Sequence, residues 1–116
     1  MLALHGWLDQ APSFEPALIG LSENGVPCYA LDQRGHGRSA WAPRGSTYHF
    51  PDYVADVDAL WRLWGCPPLV LVGHSMGGTV GTMFAGVRGE KLHTLSLIEG
   101  LGPPVYKFAR TPGKMR

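Results

Sequence analysis

The chain has 116 residues, a formal net charge of +1, and 45% hydrophobic against 16% charged residues, which is the composition of one ordinary globular domain. This near-neutral charge excludes no fold but gives no reason to expect nucleic acid or an anionic membrane surface as a partner. No apolar run approaches the ~20 residues of a membrane helix and no signal peptide is visible, so we expect a soluble, cytoplasmic protein. Cys28 and Cys66 lack disulfide or metal-ligand spacing and are expected to be buried or semi-buried free thiols.

The first half of the chain predicts two short strands with a helix between them. Leu2–Leu4 is a short apolar strand that stops at His5. Residues 13–23 follow as a helix, because their apolar side chains recur at helical spacing before a stop at Gly25. A second strand is predicted over residues 26–31.

The clearest helix begins at Pro51, and Asp52 places a negative charge in its first turn. It ends at Gly65, and its tryptophans are expected to pack in the core rather than to bind a cofactor. Its apolar stripe consists of Val54, Val57, Trp61 and Trp64.

After a strand over residues 69–72 and a further helix, the segment 86–91 is predicted to be a turn, and 92–98 is predicted to be a last strand that ends before Glu99. Strands and helices therefore alternate. This order predicts an α/β fold with a parallel, doubly wound sheet and right-handed crossovers.

One stretch carries a chemical motif. The unbroken apolar run 69–72 is typical of a strand buried on both faces of a sheet, and Gly73-His74-Ser75-Met76-Gly77 after it matches the G-x-S-x-G nucleophile elbow. Glycine is needed on both sides of the serine because side chains there would collide in so sharp a turn. Ser75 would stand above a helix N-terminus, where the free N–H of Met76 favours an oxyanion. The alternative is a glycine-rich turn without a nucleophile.

A second loop, Gly35-His36-Gly37-Arg38-Ser39, looks faintly like a phosphate cradle. It lacks the order of a P-loop, and Ala40 stands where a dinucleotide-binding loop needs its third glycine. We therefore expect a structural loop in which Asp32 and Arg34 pair or cap backbone groups.

Three motifs stand in one order: His5-Gly6-Trp7, Asp32-x-Arg34-Gly35-His36-Gly37-x-Ser39, and Gly73-His74-Ser75-Met76-Gly77-Gly78. Together they resemble the α/β-hydrolase superfamily, in particular its serine esterase and serine hydrolase-like branch, from residue 2 to about residue 105. The resemblance implies helices on both faces of the sheet. It also implies hydrolysis of a carboxylic ester or related small-molecule acyl substrate, with no metal or organic cofactor.

The resemblance also implies roles for particular residues. The nucleophile falls on Ser75, and the oxyanion hole falls on the backbone N–H groups of Trp7 and Met76. Trp7 is further expected to line the acyl or leaving-group pocket. His5 and His74 are expected to orient the turns in which they stand rather than to carry protons.

The chain departs from the family pattern after the serine. A triad in this family runs in the order Ser, acid, His, yet only His93 follows Ser75, and it stands at the start of a strand, at the wrong end of the sheet. Glu99 follows that strand and is either the triad acid or a structural residue. The general base is therefore not identified.

From this departure we expect a fragment that lacks both ends of the fold. Residues 1–105 are predicted to be the central part of an α/β-hydrolase core domain, and 106–116 the start of a lid or connecting segment. Two alternatives stay open, a non-catalytic α/β-hydrolase-like binding domain and an inactive fragment. A dinucleotide-binding module is disfavoured because Ser75 occupies the position of its second glycine. The sequence gives neither the substrate nor the oligomeric state.

Overall fold

The computed structural model describes residues 1–100, whose four strands form one parallel sheet in the order β2-β1-β3-β4. The expectation for residues 106–116 lies outside this part of the chain. The strands are β1 (Leu2–Leu4), β2 (Tyr29–Leu31), β3 (Leu69–His74) and β4 (Leu92–Ile98), and the helices are α1 (Glu15–Glu23), α2 (Phe50–Leu63) and α3 (Met76–Arg88). Short 3₁₀ turns span Ala11–Phe14 and Gly89–Lys91.

The order of the strands determines where the helices lie. The chain moves in one direction from β1 to β2 and in the other direction from β2 to β3 and from β3 to β4. Because crossovers between parallel strands are right-handed, α1 lies on one face of the sheet and α2 and α3 lie on the other. The predicted doubly wound α/β fold with helices on both faces is confirmed.

The hydrophobic core lies between the sheet and the pair α2 and α3. Trp61 is buried, its indole N–H donates to the carbonyl of Pro67 at 2.9 Å, and its ring meets Phe84 edge-on at 6.1 Å. The core prediction for Trp61 is therefore confirmed, whereas Trp64 is only partly buried and packs against the exposed Tyr29. The core side chains are Leu2, Leu4, Tyr53, Val57, Trp61, Leu69, Leu71, Met76, Val80 and Phe84.

The face that α1 covers is packed less well. No residue of α1 is buried. On β3 only alternate positions are buried, so Val70 and Val72 are half-buried while Leu69 and Leu71 are buried. The expectation that the run 69–72 is buried on both faces is therefore wrong for this chain. The run is apolar on both sides, but α2 and α3 cover only one of them.

Several element boundaries differ from those predicted. Ser13 and Phe14, predicted to be helical, lie in a 3₁₀ turn, and the regular helix begins only at Glu15. The second strand pairs with β1 over three residues, not over the whole of 26–31. The third helix continues to Arg88, so the predicted turn at 86–91 starts later.

Both cysteines are free, but Cys66 is exposed rather than buried. Within residues 1–100, no helix is both long enough and apolar enough to cross a membrane. Nor do the side chains of this segment form a group of three or more metal-ligating residues.

Candidate active site

The carboxyl end of β3 passes into α3 through a single sharp turn, residues 73–78, which we call the serine turn. Ser75 is the residue between strand and helix. Its backbone has φ 49° and ψ −111°, a conformation that residues other than glycine rarely adopt. Its N–H donates to the carbonyl of Ile98 at 2.9 Å, and its side chain is exposed. The predicted strand, turn and helix are all present; that Ser75 is a nucleophile stays a prediction.

The glycines of the serine turn are required by backbone contacts. A Cβ atom on Gly73 would overlap the carbonyl of Gly77, and one on Gly77 would overlap the carbonyl of Leu4. One on Gly78 would come within 2.7 Å of Gly100 Cα. The collisions predicted from the sequence therefore exist, and they involve β1 and the segment after β4 as well as the turn itself.

Ser75 adjoins the first residue of α3 and packs against a loop that follows β1. Met76 is the first residue of α3, so its N–H has no intrahelical acceptor, and the positive end of the helix dipole lies there. The loop comprises residues 5–9, which we call the tryptophan loop, and a Cβ on its Gly6 would lie 3.5 Å from Ser75 Cβ. Within residues 1–100 neither Trp7 N–H nor Met76 N–H donates to a protein acceptor.

The Trp7 side chain lies on the surface of this loop. It is 58% exposed, and its ring meets His36 edge-on at 5.3 Å. Beside the loop, a cavity of about 340 Å³ is lined in part by Leu8, His36 and Trp41. The expectation that Trp7 lines a substrate pocket stays a prediction.

Two of the five histidines are buried and have both ring nitrogens engaged. His5 Nε2 accepts the Gln33 N–H at 3.0 Å, so Nδ1 carries the proton and donates to the Gly6 carbonyl at 2.8 Å. Burial lowers the pKa of His5, which keeps this pattern neutral. His36 Nε2 accepts the Leu8 N–H at 3.2 Å, so its Nδ1 donates to the Arg34 carbonyl at 3.0 Å.

The other three histidines are not buried. His49 precedes α2 and contacts the Thr47 hydroxyl at 2.7 Å. His93 lies near the amino end of β4, whereas Ser75 follows the carboxyl end of the parallel strand β3, so the two lie at opposite ends of the strands, as predicted. His74 ends β3 beside Gly6. All five histidines are in the described residues 1–100, and none of them hydrogen-bonds the Ser75 hydroxyl there.

The loop after β2, residues 32–39, which we call the aspartate loop, is held by polar contacts within the protein. The Asp32 carboxylate accepts the N–H of Ala11 at 2.7 Å and the N–H of Arg38 at 3.1 Å. Both hydrogen bonds lower the pKa of Asp32, and the one from Ala11 has the larger effect. Arg34 donates two hydrogen bonds to Asp56 of α2, at 2.6 and 2.7 Å. The expected structural loop, with Asp32 capping and Arg34 pairing, is confirmed.

Glu99 follows β4 directly, at the same edge of the sheet as Ser75, and its backbone has φ 53°. Its side chain is exposed, and no ion pair or hydrogen bond engages it within residues 1–100. Its role as triad acid stays a prediction.

Gln33, which the sequence patterns do not single out, is a buried amide that joins the aspartate loop to the tryptophan loop. Its Nε2 donates to the carbonyl of His5 at 2.8 Å, and it is 1% exposed. The only signal in the sequence is its place inside the Asp32-x-Arg34 motif.

A family model described as alpha/beta hydrolase fold matches residues 1–114, and the chain belongs to this family. Among curated relatives, a serine hydrolase-like protein of Danio rerio is 37% identical over 102 residues, which are 88% of this chain and 31% of that protein.

Two solved structures are similar over nearly the whole chain. A hypothetical protein of Pseudomonas aeruginosa PAO1 is 39% identical with a TM-score of 0.81, over 98% of this chain and 40% of that one. A thioesterase domain from the curacin biosynthetic pathway is 32% identical with a TM-score of 0.85, over 98% of this chain and 42% of that one. The chain thus spans less than half the length of each of these three proteins.

Proposed function

We propose that this chain carries the nucleophile and the oxyanion-binding groups of a serine hydrolase that cleaves a carboxylic ester or a related acyl substrate. The observation that carries the proposal is the backbone of Ser75, held at φ 49° with an exposed side chain between a strand and a helix N-terminus. Non-glycine residues persist in such conformations only where the surrounding structure imposes them, and they cluster at active sites. Similarity to a thioesterase domain supports an acyl substrate.

In the proposed reaction, Ser75 Oγ attacks the carbonyl carbon of the substrate and its proton passes to a general base. The carbonyl oxygen becomes an oxyanion that accepts hydrogen bonds from the N–H groups of Trp7 and Met76. Each such donor is worth about 3 kcal/mol of transition-state stabilisation. The oxyanion collapses, the alcohol leaves with the proton returned by the base, and water then hydrolyses the acyl-enzyme.

The absence of a histidine on the Ser75 hydroxyl in residues 1–100 favours one alternative, a non-catalytic α/β-hydrolase-like binding domain. The two functions make different demands on the serine turn. A hydrolase needs only a base to react at Ser75, whereas a binding domain gains no reactivity when a base is added.

Labelling with a fluorophosphonate in the presence of free imidazole tests the proposal. Because imidazole can supply the base from solution to an exposed serine, we expect an adduct whose rate of formation rises with imidazole concentration. Mass spectrometry of the digested chain should locate the adduct on Ser75, and Ser75→Ala should form none.

Two results would contradict the proposal. Absence of an adduct at every imidazole concentration, in a chain with a cooperative unfolding transition, would favour the binding domain. An adduct that persists in Ser75→Ala would mean that another residue is the reactive group.

A further inference from the structure

The aspartate loop has a feature that the proposed reaction does not use. Two of its polar side chains, Gln33 and His36, are only 1% and 5% exposed. Burying a polar group costs free energy unless it is hydrogen-bonded, so these residues must have partners worth that cost. Gln33 Nε2 and His36 Nε2 have their partners in the tryptophan loop, whereas Gln33 Oε1 has no partner within residues 1–100.

Gln33 holds the start of the tryptophan loop. Its side-chain amide donates to the carbonyl of His5 at 2.8 Å, and its backbone N–H donates to His5 Nε2 at 3.0 Å. His5 is thus fixed through its backbone and through its ring, directly before Gly6, the residue that packs against Ser75.

His36 holds the residue on the other side of Trp7. Its Nε2 accepts the N–H of Leu8 at 3.2 Å, and its ring is packed against the rings of His5 and Trp7, with centroids 5.0 and 5.3 Å away. Its Nδ1 donates to the Arg34 carbonyl at 3.0 Å, which fixes both the tautomer and the ring orientation. Trp7 therefore lies between two residues, His5 and Leu8, that the aspartate loop holds.

The aspartate loop is itself anchored to the rest of the fold. Arg34 binds Asp56 of α2 through two hydrogen bonds, and the Ser39 hydroxyl donates to the carbonyl of Asp32. Gly37, at φ 51°, leaves the space that the Asp32 carboxylate occupies, since a Cβ there would overlap it. The loop that looks faintly like a phosphate cradle is thus filled by the protein's own carboxylate.

We propose that Gln33 and His36 are positioning residues, which set the direction of the Trp7 N–H relative to Ser75 by holding the residues on both sides of it. This inference rests on the proposed function, because it assigns the Trp7 N–H to the oxyanion. Misplacement of a catalytic group by about 1 Å can cost about 100-fold in rate, so the donor needs such support.

Two substitutions of His36 separate its hydrogen bonds. The amide nitrogen of Asn can take the place of Nδ1, but Asn has no acceptor where Nε2 stands. The side-chain oxygen of Gln reaches the Nε2 position and can accept the Leu8 N–H. Both variants lose the ring contacts, and each keeps one of the two hydrogen bonds, so the comparison sets the bond to Leu8, which Gln can keep, against the bond to Arg34, which Asn can keep.

Amide hydrogen exchange of the ¹⁵N-labelled chain is the first measurement. We expect the Leu8 amide to be protected in the wild type and in His36→Gln, and to exchange about tenfold faster in His36→Asn, while α2 amides are unchanged. Three results would overturn the proposal: an unprotected Leu8 amide in the wild type, equal exchange in both variants, or equal acceleration at Leu8 and throughout α2.

Fluorophosphonate labelling with imidazole is the second measurement. We expect the maximal labelling rate to fall about tenfold in His36→Asn, with the half-saturating probe concentration unchanged, and His36→Gln to restore the rate. Equal rates in the two variants would overturn the positioning role. Wild-type chain that never labels would overturn the proposed function instead, and the Leu8 exchange distinguishes the two failures.

Discussion

The serine turn and the tryptophan loop lie side by side, yet they are fixed in different ways. The serine turn is determined by close backbone contacts, in which Gly73 and Gly77 leave no room for a Cβ atom. The tryptophan loop is determined by hydrogen bonds with Gln33 and His36, which are 28 residues away from their partners in the chain. The turn is thus specified by its own residues and β1, and the loop by a distant motif.

The two groups proposed to act on one carbonyl therefore depend on different parts of the sequence. The serine turn and the tryptophan loop contact each other at Gly6, where a Cβ atom would come within 3.0 Å of His74 Nδ1. Substitutions can therefore disturb one side without the other.

Gly77→Ala should have the largest effect. Its methyl group would overlap the Leu4 carbonyl, and backbone atoms on both sides would have to move, so we expect a loss of about 3 kcal/mol in the free energy of unfolding. Urea unfolding measures it. The matched control is Gly86→Ala in α3, where nothing lies within 4 Å of the added atom and a gain of up to about 1 kcal/mol is expected. Equal effects at the two glycines would contradict the backbone account of the turn.

Asp32→Asn should destabilise the aspartate loop, which holds the tryptophan loop. The amide keeps one oxygen for two N–H donors, Ala11 and Arg38, and we expect a loss of about 2 kcal/mol in the free energy of unfolding. Because the loop that carries Gln33 and His36 loosens first, exchange of the Leu8 amide should also accelerate. A variant as stable as the wild type would contradict the anchoring of the aspartate loop.

The same carboxylate predicts a dependence on pH. The hydrogen bonds from Ala11 and then Arg38 lower the pKa of Asp32 in the folded state. The stabilisation of the fold by the ionised carboxylate is therefore fully present above the unfolded pKa of about 3.9, and it is lost as the pH falls towards the folded pKa. The difference in stability between the wild type and Asp32→Asn should therefore be constant near neutral pH and shrink below about pH 4. A difference that grows on acidification would have the wrong sign.

Ser75→Gly should stabilise the fold although it removes the proposed nucleophile. A side chain at φ 49° costs about 1–3 kcal/mol, and glycine gives back about 0.5–1 kcal/mol of this through its greater freedom when unfolded. We expect the free energy of unfolding of Ser75→Gly to be about 1 kcal/mol higher than that of Ser75→Ala, measured by thermal or urea unfolding. If the two variants unfold alike, the strain at the serine turn is absent.

Leu8→Gly should give the smallest effect, on the tryptophan loop. Leu8 also has a positive φ, 59°, and is 81% exposed, so its side chain contributes little burial. Relative to Leu8→Ala, which keeps the strain, we expect a gain of about 0.5 kcal/mol in the free energy of unfolding. Equal stability of the glycine and alanine variants would show that this loop carries no strain of its own.

The sequence predicts the parts of this structure that depend on neighbouring residues. The pattern Gly73-x-Ser75-x-Gly77 between an apolar run and a helix specifies the turn, because the reason for its glycines is steric and local. The α/β alternation and the core position of Trp61 follow from periodicity in the same way. The roles of Ser75, Trp7 and Met76 stay predictions.

The rest depends on partners that no local pattern identifies. Gln33 and His36 hydrogen-bond with the tryptophan loop, which lies far before them in the chain. Arg34 donates to Asp56, on a helix that begins many residues later. The helix predicted over 13–23 is a further example, since its apolar spacing indicates a helix but not that none of its residues is buried. Burial depends on what the fold brings to that face.

The most direct test of the central claim, that Ser75 lies between two oxyanion donors, is a titration of the ¹⁵N-labelled chain with phenylboronic acid, followed by NMR. A tetrahedral boronate on Ser75 would present an oxygen where the oxyanion forms. We predict that the amide protons of Trp7 and Met76 both move downfield on saturation, and that neither moves in Ser75→Ala. If Met76 moves and Trp7 does not, or if both respond equally in Ser75→Ala, the claim is contradicted.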